Sequence, residues 1–180
     1  MKTPHTLVVL VEDQPGVLNR VVSLLRRRSF NIDSITVGHS EQPGVSRMTL
    51  VVTGEEDEIE QASKQLYKLM EVLKVTDLTG MNCVTHELAL VKVAAKPQHR
   101  AEIMLLAQIY DAKVVDASPT TLLLQVTGTE ERINGLLAMM RPFGIRELAR
   151  TGPLAMMRGG GNISPKHRGV DRGEGSMAAD

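Results

Sequence analysis

The amino-acid sequence predicts an α+β protein that consists of two tandem modules, each with the element order β-α-β-β-α-β. Apolar residues follow strand-like and helix-like spacing in this order twice along the 180 residues. The two halves also share short sequences, because Val52-Thr53-Gly54 before an acidic run matches Val126-Thr127-Gly128 before Glu130 and Glu131. This order of elements is the ferredoxin-like, or split βαβ, arrangement.

The first module is predicted from six elements between residues 7 and 78. An unbroken apolar run at residues 7–11 predicts a central strand, since both faces of such a strand are buried. Pro15 is placed in the first turn of the helix that follows, where its missing N–H is not needed. Acidic residues at 55–58 predict the start of the second helix, where the helix dipole favours negative charge. The other strands are predicted at residues 31–37, 47–53 and 72–78, and the second helix buries Ile59, Ala62, Leu66, Leu69 and Met70.

The second module repeats this order between residues 88 and 149. Its strands are predicted at residues 88–94, 113–117, 121–127 and 145–149. Pro97 is predicted to open the first of its two helices. The apolar residues of the two helices are Ile103, Met104, Leu106, Ala107 and Tyr110 in the first, and Ile133, Leu136, Leu137 and Met140 in the second.

Domain boundaries follow from these patterns. The modules are expected at residues 1–80 and 81–157, with the junction near residues 80–85. Residues 158–180 contain three consecutive glycines, a proline and few apolar residues, so this segment is predicted to be a flexible, disordered tail. The triple glycine lacks the Lys-Ser/Thr of a phosphate-binding P-loop.

Composition narrows the classes of function. The 21 basic and 21 acidic side chains balance, which gives no reason to expect nucleic acid or an anionic membrane as a partner. Cys83 is the sole cysteine, so an internal disulfide and a cysteine-based zinc site are excluded. No apolar run approaches the roughly 20 residues of a transmembrane helix, and no signal region is apparent. The cytoplasm is therefore the expected location.

Catalytic and metal-binding patterns are not found. The five histidines are scattered, and none belongs to a recognisable arrangement of metal ligands or of a nucleophile with its base. The arginines at residues 26–28 fall at the end of a predicted helix, where cations suit the dipole. We therefore expect no catalytic residue, no metal site and no cofactor in this chain.

A candidate binding loop joins the first strand to the first helix at residues 12–20. Gly16 lacks a Cβ and would let a ligand approach the backbone. Unpaired N–H groups at a helix start attract an anion such as an amino-acid carboxylate. An ordinary capped turn that binds nothing is the alternative interpretation of these residues alone.

Four segments stand out in the first module: EDQPGVL at residues 12–18, FNIDSITV at 30–37, SRMT at 46–49 and KQLYKL at 64–69. Together they resemble the regulatory (small) subunit of acetohydroxyacid synthase, also called acetolactate synthase. The resemblance extends from about Thr6 to about Met157, and each motif alone would indicate only an ACT domain, a ligand-sensing ferredoxin-like module of amino-acid metabolism.

This resemblance implies an N-terminal ACT domain that binds an effector and dimerises, followed by a second ACT-like domain. It also implies a non-catalytic protein that binds the large catalytic subunit, activates it and confers feedback inhibition by valine or another branched-chain amino acid. Thiamine diphosphate, magnesium and flavin (FAD) would belong to that catalytic partner. In the family, two ACT domains pair side by side into a continuous sheet, and an exposed edge strand beginning at Asn31 would suit this pairing.

The resemblance also assigns effector-binding residues. The backbone at Gly16, Val17 and Leu18 would hold the effector carboxylate. Asp13 and the partner subunit's Asn31 would meet its charged groups, and Ile32 would line an apolar pocket for a branched side chain. The chain departs from the family at Asp13, where Asn is frequent, and at Ser29, where a helix-end Gly would favour a left-handed backbone.

Two other functions remain open at this point. One is a free-standing ACT-type amino-acid sensor that regulates another enzyme or transcription, although no DNA-binding helix pair is evident. The other is an enzyme or metal carrier on a ferredoxin-like scaffold, which would need a Cys-x-x-Cys loop that Cys83 alone cannot supply. Fold alone does not decide among them, because this fold supports many activities.

Overall fold

The structure, a computed structural model, describes residues 2–164 and confirms the two ferredoxin-like modules. The first module contains β1 (Thr3–Glu12), α1 (Val17–Arg27), β2 (Asn31–His39), β3 (Val45–Gly54), α2 (Glu56–Leu66) and β4 (Val72–Asp77). The second contains β5 (Cys83–Ala94), α3 (Arg100–Ile109), β6 (Lys113–Ala117), β7 (Thr121–Gly128), α4 (Glu130–Met140), β8 (Ile145–Arg150) and β9 (Leu154–Met157).

Each module has an antiparallel sheet of four strands with two helices on one face. The strand order is β2-β3-β1-β4 in the first module and β6-β7-β5-β8 in the second. β2 and β6 therefore lie at corresponding sheet edges, where their outer backbone groups have no strand partner among residues 2–164. β1 is central, as its apolar run predicts.

Both faces of β1 are buried, by different parts of the chain. Leu7, Val9 and Val11 face the helices and form the first core with residues such as Leu25 and Ile59. Val8 and Leu10 face the opposite side, where they pack against Leu78, Ala155 and Ile163. The second module has its own core between its sheet and α3 and α4.

The cover on that opposite side is a two-stranded ribbon that the sequence did not predict. Residues 83–86 of β5 extend beyond the second sheet and pair with β9, Cys83 opposite Met157 and His86 opposite Leu154. Within β9, Ala155 is buried between the exposed Leu154 and Met156. We call this pair of segments the β5–β9 ribbon, and it attaches the second module to the first sheet.

Several helix ends differ from the prediction. Pro15 lies in the turn before α1, because Gly16 is the N-cap and the helix begins at Val17. Pro97 opens a short 3-10 turn, and α3 begins three residues later at Arg100. α2 ends at Leu66, so Met70 is exposed beyond the helix and is not part of its buried stripe. The acidic start of α2 is confirmed, since the Glu55 N–H donates to Glu58 Oε2 at 3.0 Å.

Ile163 shows that the chain still packs after β9. It is 9% exposed and contacts the cluster around Val8 and Leu10, so the predicted absence of packing from residue 158 does not hold at this position. The rest of the predicted tail, residues 165–180, lies outside the described residues.

Replacing Ile163 with alanine is expected to destabilise the protein by about 2 kcal/mol, because it leaves a cavity beside a buried strand. Thermal unfolding followed by circular dichroism measures the effect. Ile109→Ala is the matched control, since Ile109 is 65% exposed. Equal melting temperatures for the two variants would contradict the packing of Ile163.

Candidate functional site at the β1–α1 loop and the edge strand

The β1–α1 loop exposes backbone N–H groups at the start of α1. Gly16 has φ of 85°, a left-handed conformation, and a Cβ at this position would meet no atom within 4 Å. The Val17 N–H donates to the Gln14 carbonyl at 3.4 Å. Within residues 2–164, the N–H groups of Leu18 and Asn19 have no acceptor. The loop is therefore open to a ligand and presents donors suited to an anion.

Side chains of Val17 and Leu18 have different surroundings. Val17 is buried in the first core, so only its backbone can serve a ligand. Leu18 is about half exposed and lies on the outer side of the first helical turn. It offers an aliphatic surface next to the unpaired N–H groups.

Asp13 is held at the mouth of the loop by residues from two other strands. Its backbone N–H donates to the Gly44 carbonyl at 2.8 Å. The Ser46 hydroxyl donates to Asp13 Oδ1 at 3.1 Å, and His39 Nδ1 lies 3.2 Å from Oδ2. The carboxylate is thus oriented by β3 and by the end of β2, yet remains partly exposed. Sequence reasoning missed Ser46 and His39 because only sheet pairing brings them to Asp13.

Asn31 and Ile32 begin the edge strand β2. Ser29, just before it, has φ of 60°, which confirms that this position requires a left-handed backbone. The Asn31 side-chain amide donates to Asp33 Oδ1, and the Thr53 hydroxyl donates to Asp33 Oδ2 at 2.6 Å. Asn31 is exposed, and within the described part of the chain its Oδ1 has no hydrogen-bond donor. Ile32 packs partly against the first core.

The two groups of candidate residues lie at opposite ends of the sheet. Asn31 pairs with Thr53, whereas Asp13 follows Glu12, which pairs with Val45. The eight-residue spacing along β3 corresponds to roughly 26 Å, at about 3.3 Å per residue. One chain therefore cannot bring Asn31 and Gly16 to the same small ligand.

Among residues 2–164, no three His, Cys, Asp or Glu side chains are grouped so that they could hold a metal ion. None of the helices in that range has both the length and the apolar character needed to span a membrane. Cys83 is a free cysteine at the start of β5.

Two family models together match most of the chain. Residues 7–74 match the AHAS small subunit-like ACT domain. Residues 86–159 match a model described as the small subunit of acetolactate synthase. The matched ranges correspond closely to the two modules.

Individual relatives extend across both modules. The probable acetolactate synthase small subunit of Archaeoglobus fulgidus is 49% identical over 155 residues, which cover 86% of this chain and 97% of that protein. The acetolactate synthase small subunit of Bacillus subtilis is 48% identical over 160 residues, or 88% and 92% of the two chains. The crystal structure of the acetolactate synthase small subunit from Thermotoga maritima superposes with a TM-score of 0.81 at 40% identity, covering 89% and 99%.

Proposed function

The chain belongs to the family of acetolactate synthase small subunits, and on this premise we propose that it is a non-catalytic regulatory subunit. It would bind and activate the large catalytic subunit and confer feedback inhibition by valine or another branched-chain amino acid. Its partner would carry thiamine diphosphate, magnesium and flavin, and both would work in the cytoplasm. The observation that carries the inhibitory role is the open Gly16 loop with its unpaired N–H groups.

The effector site is proposed to form between two copies of the chain. β2 is an edge strand, so a second β2 can pair with it in antiparallel orientation. Such pairing would place the partner subunit's Asn31 opposite His39, which contacts Asp13. The 26 Å separation within one chain would then become a short distance between two chains, and the symmetric dimer would contain two equivalent sites.

The groups at this interface are complementary to an aliphatic amino acid. The N–H groups of Leu18 and Asn19 would bind the effector carboxylate. Asp13 and Oδ1 of the partner subunit's Asn31 would accept hydrogen bonds from its ammonium group. Leu18 and the exposed part of the partner subunit's Ile32 would contact the branched side chain. Valine differs from leucine and isoleucine by one methylene, which changes the free energy of binding to an aliphatic pocket by only about 1–3 kcal/mol.

Reconstitution with the large catalytic subunit from the same source tests this function. The small subunit is expected to be dimeric by light scattering, to bind a branched-chain amino acid in calorimetry and to raise acetolactate formation. Addition of that amino acid should then lower the activity. Binding of the amino acid without any effect on the large subunit would instead favour a free-standing ACT-type sensor.

The Asn31→Ala variant is expected to bind the effector more weakly by about 1–3 kcal/mol, because a polar partner is lost at the interface. Isothermal titration of the isolated small subunit measures this. Asn82→Ala serves as a control, since Asn82 is exposed in the connection between the modules. Equal affinities of both variants and the wild type would remove Asn31 from the site.

A further inference from the structure

The edge strand β2 also contacts the second module, through a small group of residues after β8. The Thr36 hydroxyl donates to the Thr151 carbonyl at 2.8 Å. Gly152 lies so close to β2 that a Cβ there would stand 2.9 Å from Ser34 Cβ and 3.0 Å from Ser34 Oγ. We call Ser34, Thr36, Thr151 and Gly152 the inter-module contact. It joins the strand that begins at Asn31 to the segment that leads into β9.

A β-bulge lies between Asn31 and this contact. The pairing of β2 with β3 shifts its register between Ile32 and Ser34, so Asp33 is the extra residue. A bulge bends its strand and re-aims the residues that follow it. A ligand that binds Asn31 and shifts its backbone can therefore change the direction in which the Ser34 and Thr36 side chains point, because both follow within five residues.

The inter-module contact is tight but incompletely satisfied. Ser34 Oγ is buried and finds no hydrogen-bond partner in the described part of the chain, which weakens the state in which Gly152 covers it. An open cleft with a volume of about 610 Å³ adjoins the contact and is lined by residues of both modules, including Val51, Glu87 and Arg150. The cleft provides room for β2 to move relative to residues 151–153 and for water to reach the Ser34 hydroxyl.

A neighbouring strand anchors the ribbon while the contact changes. Arg47 of β3 donates from Nη2 to the Ala155 carbonyl at 2.7 Å. Partial burial lowers the pKa of the Arg47 guanidinium, an effect that the nearby Glu41 carboxylate opposes. β9 thus remains attached to the first sheet through β3, and the Thr151–Gly152 segment is the part that follows β2.

We propose that the inter-module contact transmits effector binding at Asn31 to the second module, through a shift of β2 against Thr151 and Gly152. This inference rests on the proposed effector site and explains how a ligand held by the first module alters the position of the second. Thr36 is a positioning residue in this scheme, because it touches neither the effector nor the catalytic subunit's reactants.

The test compares Thr36→Val with Thr36→Ser in the complex with the large catalytic subunit. Valine has nearly the shape of threonine but lacks the donor, whereas serine retains it. In Thr36→Val we expect effector affinity of the isolated small subunit and activation without effector to stay close to the wild type. The ratio of activities without and with saturating effector should fall about fivefold, the equivalent of one lost hydrogen bond. Thr36→Ser should restore this ratio.

Hydrogen exchange gives a readout that does not depend on activity. Effector binding should change the exchange of the Thr151 and Gly152 amides in the wild type and in Thr36→Ser, but not in Thr36→Val. Gly152→Ala should also uncouple the modules, because its methyl group collides with Ser34. Gly159→Ala has a similar left-handed strain, with φ of 66°, but no atom within 4 Å of the added Cβ, and should behave as the wild type.

The outcomes separate this inference from the function on which it rests. Full inhibition of Thr36→Val, together with an effector-induced change in exchange at Thr151 and Gly152 as large as in the wild type, would overturn the transmission route and leave the regulatory function standing. A wild-type protein that binds no branched-chain amino acid would overturn both. Loss of inhibition with retained binding in Thr36→Val and Gly152→Ala, but not in their controls, is the expected result.

Discussion

Gly16→Asp is expected to abolish feedback inhibition while the catalytic subunit is still activated. The added carboxylate would lie where the effector carboxylate binds, and like charges at an interface repel by several kcal/mol. Affinity should fall by roughly 3 kcal/mol or more, about a hundredfold. The fold should persist, because Gly16 faces open space and aspartate tolerates a left-handed backbone better than most residues.

Valine titration of the reconstituted complex, together with calorimetry of the small subunit, measures this effect. Gly159→Asp is the matched control, since it introduces the same charge and a similar backbone strain at an open position. Inhibition that survives in Gly16→Asp would exclude the β1–α1 loop as the carboxylate site. Loss of inhibition in both variants would point to a general effect of charge and would also count against it.

Glu87→Gln is expected to lower the free energy of unfolding by more than Glu147→Gln, which removes the charge of an exposed ion pair. Glu87 has a side chain that is 5% exposed and receives hydrogen bonds from both Nε and Nη2 of Arg150. Arg150 also donates to Asn134 Oδ1 at 2.9 Å, so the pair joins β5, β8 and α4 just before Thr151. Removing the charge of a buried partner leaves the guanidinium uncompensated. Because Arg150 is partly exposed, we expect a cost of about 2 kcal/mol, below that of a fully buried pair.

The melting temperature should fall by roughly 4–8 °C in a chain of this size. Glu147→Gln provides the control on the adjacent strand, because Glu147 is 69% exposed and pairs with Lys92 at 2.7 Å. The hydrogen bond and charge of Lys92 lower the pKa of Glu147, but solvent screens such a pair. A fall in melting temperature as large for Glu147→Gln as for Glu87→Gln would show that burial is not what makes the Glu87 pair strong.

Local pattern was sufficient to predict much of the first module. The apolar run at residues 7–11 identifies a strand buried on both faces, and the structure places β1 at the centre of its sheet. The motif around Gly16 predicts an open helix start, and Gly16 does have a left-handed backbone there. The glycine that the resembling family usually has at position 29 implies a left-handed backbone, which Ser29 adopts. These features depend on neighbouring residues, which a sequence displays directly.

Features that depend on distant pairing were not predicted. Ser46 and His39 approach Asp13 only because β3 and β2 align next to the loop. β9 is a run of only four apolar residues, and its pairing with the distant residues 83–86 of β5 is what makes it a strand. Ile163 is a lone apolar residue in a polar segment, and only the uncovered side of β1 explains its burial.

The β5–β9 ribbon also affects how this protein is made in the cell. A ribosome releases residues 1–78 well before residues 154–163, yet the latter cover Val8 and Leu10. The nascent N-terminal segment therefore exposes an apolar surface until residues 154–163 have been synthesised. A gene fragment that ends after β4 would encode a product with this surface permanently uncovered, and such a fragment is expected to aggregate or to require a chaperone.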